Sequence, residues 1–171
     1  MKNRIIRSAT FEGMCDTEGF PRPGYISHYH HLARSGVGGI ITGFAYISKD
    51  GRAMHPGQAG IDSNQKIPSY RKMTELVHQN DCKIFMQIAH AGRQTRQSVT
   101  NEEVKGCTTK KSFYFGGKPR PLSTEEIYPV IEKFGDAACF ARAAGFDGIQ
   151  VHAAHGYLVH QFILRSINPS P

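Results

Sequence analysis

The chain has 171 residues, 39% hydrophobic and 20% charged, with a formal net charge of +7, which provides one domain with a substantial core and excludes a disordered or fibrous protein. No apolar run approaches membrane-spanning length and the charged start, Met1 to Arg7, lacks a secretory apolar stretch, so no membrane partner is expected and the cytoplasm is the expected compartment. Basic residues are spread along the chain apart from Lys110-Lys111 and Lys118 to Arg120, which argues for a solvated basic surface and against a nucleic-acid partner.

Taken in order, the elements alternate. Ile5 to Ser8 reads as a short strand. Tyr25 to Arg34 puts Ile26, Tyr29, Leu32 and Ala33 on one helical face and stops at Ser35-Gly36. Gly39 to Phe44 follows as a buried strand. Ser69 to Gln79 carries Met73, Leu76 and Val77 on one face, and Lys83 to Ile88 is the next apolar strand. Ala91 to Leu122 has no clear period; its tip, Phe113-Tyr114-Phe115-Gly116-Gly117, is expected to be mobile and to sit on the face where the strands end.

Ser123-Thr124-Glu125-Glu126 is a capping box, in which the Ser123 hydroxyl and the Glu126 carboxylate satisfy orphan backbone donors reciprocally. Behind it Ile127, Val130, Ile131, Phe134, Ala138 and Ala141 mark a buried face, and Pro129, lacking an amide donor, is expected to kink or split the first turns. Gly145 closes this helix and Gly148 to His152 is a fourth buried strand. The helix end, glycine turn and strand of Ala33 to Ile40 echo those of Ala141 to Ile149. Successive βα units of this kind imply an α/β fold with a parallel sheet, open or rolled into a barrel. The four cysteines, Cys15, Cys82, Cys107 and Cys139, have no paired or metal-binding spacing and are expected to be reduced thiols.

Polar and small residues gather where the strands end: Ser8-Ala9-Thr10-Phe11, Thr42-Gly43-Phe44, Gln87 to Arg93, and His152-Ala153-Ala154-His155-Gly156-Tyr157. Ligands lie across that end of an α/β barrel. His152 and His155 offer two donors able to converge on one ligand atom, and Tyr157 offers a weakly acidic proton. A zinc reading of His152, His155 and His160 with His90 lacks the helical HExxH context and a carboxylate after His155, so no metal is expected.

The runs Lys2 to Thr10, Gln87-Ile88-Ala89-His90-Ala91-Gly92-Arg93 and His152-Ala153-Ala154-His155-Gly156-Tyr157-Leu158 resemble the old yellow enzyme family. These are FMN-dependent NADH:flavin oxidoreductases and ene-reductases on a (β/α)8 barrel, and the likeness is collinear over nearly the whole chain. The resemblance implies FMN as cofactor, NAD(P)H as reductant and a small enone-type substrate. It implies that Ala9 and Thr10 touch the flavin ring, that Gly43 lets the chain approach it, and that Gln87 pairs with its pyrimidine edge. His152, also beside the cofactor, and His155 would hold the carbonyl oxygen of an α,β-unsaturated substrate, and Tyr157 would give a proton to its α-carbon. His90 and Arg93 read as loop architecture or substrate rim.

A complete barrel of this kind takes roughly 250 residues. Residues 1–171 therefore read as one partial FMN-binding domain, the N-terminal half of a TIM barrel, about four βα units truncated after the fourth strand. Two open edges and an incompletely covered apolar face are expected, which favour a homo-oligomer or marginal stability. The competing reading is a non-catalytic remnant that does not retain FMN.

Overall fold

The computed structural model describes residues 1–53 and 56–168; residues 169–171, the end of the domain as read from the sequence, lie outside them. In chain order the elements are β1 (Ile6–Arg7), α1 (Pro23–Arg34), β2 (Gly39–Ile41), β3 (Ala45–Tyr46), α2 (Ile67–His78), β4 (Lys83–Ala89), α3 (Gln97–Thr100), β5 (Lys105–Gly106), β6 (Arg120–Pro121), α4 (Thr124–Ala143), β7 (Gly148–Val151) and α5 (Leu158–Ile163).

All pairings in the main sheet are parallel. β1 pairs β2 and β2 pairs β4. Phe85 is shared between Ile41 and Gly148, and Ile88 between Ala45 and Val151. β2 and β3 thus lie on one side of β4, and β7 on the other. Of the strand expected from Gly39 to Phe44 only Gly39–Ile41 is in the ladder; at Thr42 the Gln87 amide donates to the side-chain hydroxyl at 3.2 Å instead of to a backbone carbonyl, and pairing resumes at Ala45–Tyr46, beyond the expected span. The main sheet therefore runs β1, then β2 with β3, then β4, then β7, in sequence order and with a helix between successive strands.

The core lies between the outer face of this sheet and α1, α2 and α4. Ile84, Met86 and Ile88 of β4 are buried there against Tyr25, Tyr29, Tyr70 and Met73. α1 and α2 each begin two residues earlier than the apolar pattern suggests, at positions where Pro23 and Pro68 stand in the first turn; proline presets the helical φ and has no amide to leave orphaned. Gly36 and Gly145 close α1 and α4 at φ +93° and +87°, which accounts for the sequence echo.

The capping box forms as expected, the Ser123 hydroxyl accepting from the Glu126 amide while the Glu126 carboxylate accepts from the Ser123 amide. Pro129 does not split α4: it lies near the N-terminus, and the helix continues through it to Ala143. The predicted buried face is only partly buried, since Ile131 is 58% exposed, and β7 is not the buried strand expected, Ile149 and Val151 being 37% and 44% exposed. The physical reason is the same for both: nothing among the described residues packs beyond β7. An apolar groove of about 290 Å³, lined by Val130, Ile131, Phe134, Val159 and Phe162 among others, runs between α4 and α5 on that side. At the opposite edge Ile5 and Ile6 are 63% and 46% exposed, so both open edges anticipated from the sequence are present.

The segment from Ala91 to Leu122 is better organised than its lack of period suggests. It holds the short α3 and a two-residue parallel ladder between β5 and β6. Its main anchor is Gln161 of α5, fully buried, which donates to the carbonyls of Gly156 at 2.7 Å and Ala91 at 3.3 Å and lies against Gly92 and Gly106. A Cβ on Gly92 would come within 2.4 Å of the Gln161 amide nitrogen. No described helix is long and apolar enough to cross a membrane. All four cysteines are free.

Candidate functional site

The His152 amide extends the ladder of β7 by one bond, donating to the Ile88 carbonyl at 2.9 Å. The chain then turns sharply. His155 at φ +56° and Gly156 at φ +73° are both left-handed, a conformation costly for His that folds its ring back on the strand it has left. The Gly156 amide donates to His160 Nδ1 at 2.9 Å and fixes the turn from α5. Tyr157 stands at the N-cap of α5, its side chain directed away from capping.

These local constraints bring three predicted residues into one cluster. The ring centroids of His152 and His155 are 5.0 Å apart, and those of His152 and Tyr157 are 4.7 Å apart. Phe44 packs on both, 5.9 Å from His152 and 5.4 Å from Tyr157, and Phe11 stacks on Phe44 at 5.5 Å. His152 and Tyr157 are each 6% exposed. Burial, assisted by neighbouring His155 and His160, lowers the His152 imidazole to about 4, so it is neutral at physiological pH. Burial raises the Tyr157 phenol to about 12 and keeps its proton on.

The expectation that both imidazoles point at one ligand atom needs a correction. The Ala154 amide donates to His152 Nδ1 at 3.3 Å, which leaves the proton on Nε2, and His152 Nε2 lies 3.2 Å from His155 Nδ1. His152 therefore donates to His155, whose own proton is on Nε2. One of the two donors is spent on the other ring until something displaces it.

The remaining predicted residues line the neighbouring strand ends. Gln87 is half-buried and donates from Nε2 to Gln150 Oε1 at 2.7 Å; paired in register, the two side chains share the sheet face opposite the helices. Gln87 keeps a second amide proton and its own Oε1, one donor and one acceptor, which match the polar edge of an isoalloxazine ring. Ala9 is half-buried and Thr10 exposed.

Gly43 has a reason other than clearance for a ligand. A Cβ there would lie 2.3 Å from Glu12 Oε2 and 2.5 Å from the Thr10 carbonyl oxygen. The space is filled by the protein. Glu12 accepts from Arg7 at 3.1 Å, from the Tyr29 hydroxyl at 2.5 Å and from the Gly43 amide at 3.3 Å. This buried carboxylate fastens the end of β1 to the break between β2 and β3, and so holds Phe44 against the histidines.

His90 is braced as loop architecture: its Nδ1 accepts from the Gly92 amide at 3.0 Å and its carbonyl accepts from the Leu158 amide at 2.9 Å. Arg93 likewise holds the Lys110 and Lys111 carbonyls. Among the described residues no three His, Cys, Asp or Glu side chains gather around a point that could hold a metal. Glu12, Gln150 and Gln161 escaped sequence reasoning, which places Phe44 at a strand end without a role. Only Phe44 carried a signal, an aromatic directly after a strand-end glycine.

The sequence profile of the NADH:flavin oxidoreductase / NADH oxidase family matches residues 1–170. An NADH oxidase of Thermoanaerobacter brockii is 36% identical over 98% of this chain and 26% of its own length. A probable flavin mononucleotide-dependent alkene reductase of Leishmania infantum is 32% identical over 98% of this chain and 50% of its own. The solved old yellow enzyme homologue of Zymomonas mobilis superposes with a TM-score of 0.86 at 31% identity, covering 98% of this chain and 49% of that one. The chain thus spans half or less of each. Its sequential parallel sheet is the N-terminal half of a (β/α)8 barrel, and with the family profile matching from end to end the chain belongs to the NADH:flavin oxidoreductase / NADH oxidase family of old yellow enzymes.

Proposed function

We propose that this chain supplies the ring-binding and proton-transfer half of an FMN-dependent oxidoreductase that takes electrons from NAD(P)H and reduces activated alkenes, α,β-unsaturated carbonyl compounds. The observation that carries the reading is the joint placement of His152, His155 and Tyr157 behind Phe44 at one strand end. FMN, when bound, supplies the hydride chemistry. Gln87, with Ala9, Thr10 and His152, forms the surface that meets its ring, and Gly43 keeps the chain behind it closely packed.

The protein's own part is electrostatic. A substrate carbonyl oxygen entering the cluster displaces His155 Nδ1 from His152 Nε2–H and gains that donor, and the released His155 ring turns its Nε2–H to the same oxygen as the second. A neutral imidazole N–H held in place stabilises the negative charge that grows on this oxygen by hydrogen bonding, with no change in its own protonation. Tyr157, whose phenol stays protonated well above neutral pH, donates to the α-carbon and is reprotonated from solvent.

Residues 1–171 act in this reading as one partial domain of the cytoplasm, with the open edges at β1 and β7 available to a second copy. The competing reading is a remnant that folds but does not retain FMN; it is favoured by the exposure of Ile149 and Val151 on the uncovered side of β7. Titration of the purified protein with FMN decides between them. Quenching of flavin fluorescence with a 1:1 end point is the expected result, and protein that leaves FMN fluorescence unchanged would establish the remnant.

A further inference from the structure

We propose that the loop from Val104 to Leu122 is the recognition site for the adenosine diphosphate end of the nicotinamide dinucleotide that reduces the flavin. The inference rests on the function proposed above and identifies where the reductant is held. Between these residues the sequence has Lys105, Lys110, Lys111, Lys118 and Arg120 and no acidic residue. Two of these cations are already engaged: Lys110 donates to the Ser166 carbonyl at 2.7 Å, and Arg120 is paired with Glu103 and Glu126. Lys111 and Lys118 are exposed and form no ion pair among the described residues.

Between those two lysines stand the most exposed large apolar side chains among the described residues. Phe113 is 94% and Tyr114 78% exposed, and their rings meet edge to face at 5.3 Å. The tip that carries them is a built turn. The Gly116 amide donates to the Ser112 carbonyl at 3.0 Å, Gly116 is left-handed at φ +69°, and Arg96 holds the Tyr114 carbonyl at 3.3 Å.

The turn is also wired to the reacting groups. Buried Ser112 donates to Gln94 Oε1, and Gln94 Nε2 donates to the His155 carbonyl at 2.9 Å. Two side-chain bonds therefore separate the residue beside Phe113 from the turn that positions His155. The tip and the histidine cluster together are matched by an elongated molecule with an aromatic plane and anionic charge at its outer end. A dinucleotide has this form: its adenine offers a face to Phe113 or Tyr114, and its diphosphate offers two negative charges to Lys111 and Lys118. A polyanion such as nucleic acid would need a broader run of unpaired cations than two lysines provide.

The test uses ADP-ribose, which has the diphosphate and adenine but no redox chemistry, measured by calorimetry against the 171-residue protein. Lys111→Ala with Lys118→Ala is expected to weaken binding about tenfold, and Phe113→Ser with Tyr114→Ser about fivefold, with affinity falling as salt is raised. All four side chains are exposed, so unchanged melting temperatures are expected and confirm intact folding. ADP-ribose binding that is absent, or unaffected by both pairs of substitutions, would overturn the proposal, as would variants that lose affinity for an oligonucleotide or anionic vesicles but not for ADP-ribose. FMN uptake by the same samples is read separately, so failure of the flavin reading shows as lost flavin binding and failure of this one as loop-independent ADP-ribose binding.

Discussion

His152 Nε2 and His155 Nδ1 lie 3.2 Å apart, with the Ala154 amide holding His152 Nδ1 at 3.3 Å. The backbone donor sets the tautomer of the first ring, and the first ring sets that of the second. His152→Asn and His155→Asn are each expected to lower the rate of alkene reduction by about a hundredfold, the scale for removing one donor to a developing oxyanion. Asn is chosen at 155 because it tolerates the left-handed backbone. The double variant is expected to lose less than the product of the two, since each ring positions the other. Rate constants for alkene reduction by the FMN-loaded single and double variants check this.

The lowered His152 has a stability signature. Its ordinary value of 6.5 in the unfolded chain falls to about 4 in the folded protein. Between these values the unfolded chain binds a proton that the folded protein does not, so stability falls as pH drops from 6.5 towards 4. Urea unfolding at pH 7 and pH 4.5 is expected to show a loss about 2 kcal/mol larger in the native protein than in His152→Gln, within the range set by that difference.

Gln161 is the buried pin of the loop that follows β4. Gln161→Leu leaves the Ala91 and Gly156 carbonyls without their donor and is expected to cost about 2–4 kcal/mol. Limited proteolysis should then cut within Ala91 to Leu122 at protease concentrations that spare the native protein.

Gly43 is crowded by protein rather than open to ligand. Gly43→Ala would set a methyl against Glu12 and the Thr10 carbonyl, with an expected cost of about 1–3 kcal/mol. Thermal melts with and without FMN should show the loss equally in both, because the clash is with the chain itself.

Much of this fold could be read from residue order. The capping box at Ser123 and the glycine stops at Gly36 and Gly145 are local signals whose physics is complete within a few residues. The break between β2 and β3 was not legible, because it depends on Thr42 competing with backbone carbonyls for the Gln87 amide, a contact between residues far apart in sequence. The exposure of β7 was hidden for a related reason: Ile149 and Val151 have the composition of a buried strand, and only the surroundings reveal that nothing among the described residues covers them. In the site, His152, His155 and Tyr157 stood out because they are contiguous. Glu12 did not, since its role comes from Arg7, Tyr29 and Gly43 meeting it from three separate elements.

Tyr157 as proton donor is the central claim, and stopped-flow measurement of the two half-reactions of Tyr157→Phe tests it most directly. The FMN-loaded protein is reduced with NADPH or NADH, then mixed anaerobically with a cyclic enone. The account predicts flavin reduction within about threefold of the native rate and enone reduction slower by about 10²-fold or more, the scale of general-acid catalysis. Equal loss in both half-reactions, or enone reduction at the native rate, would contradict it.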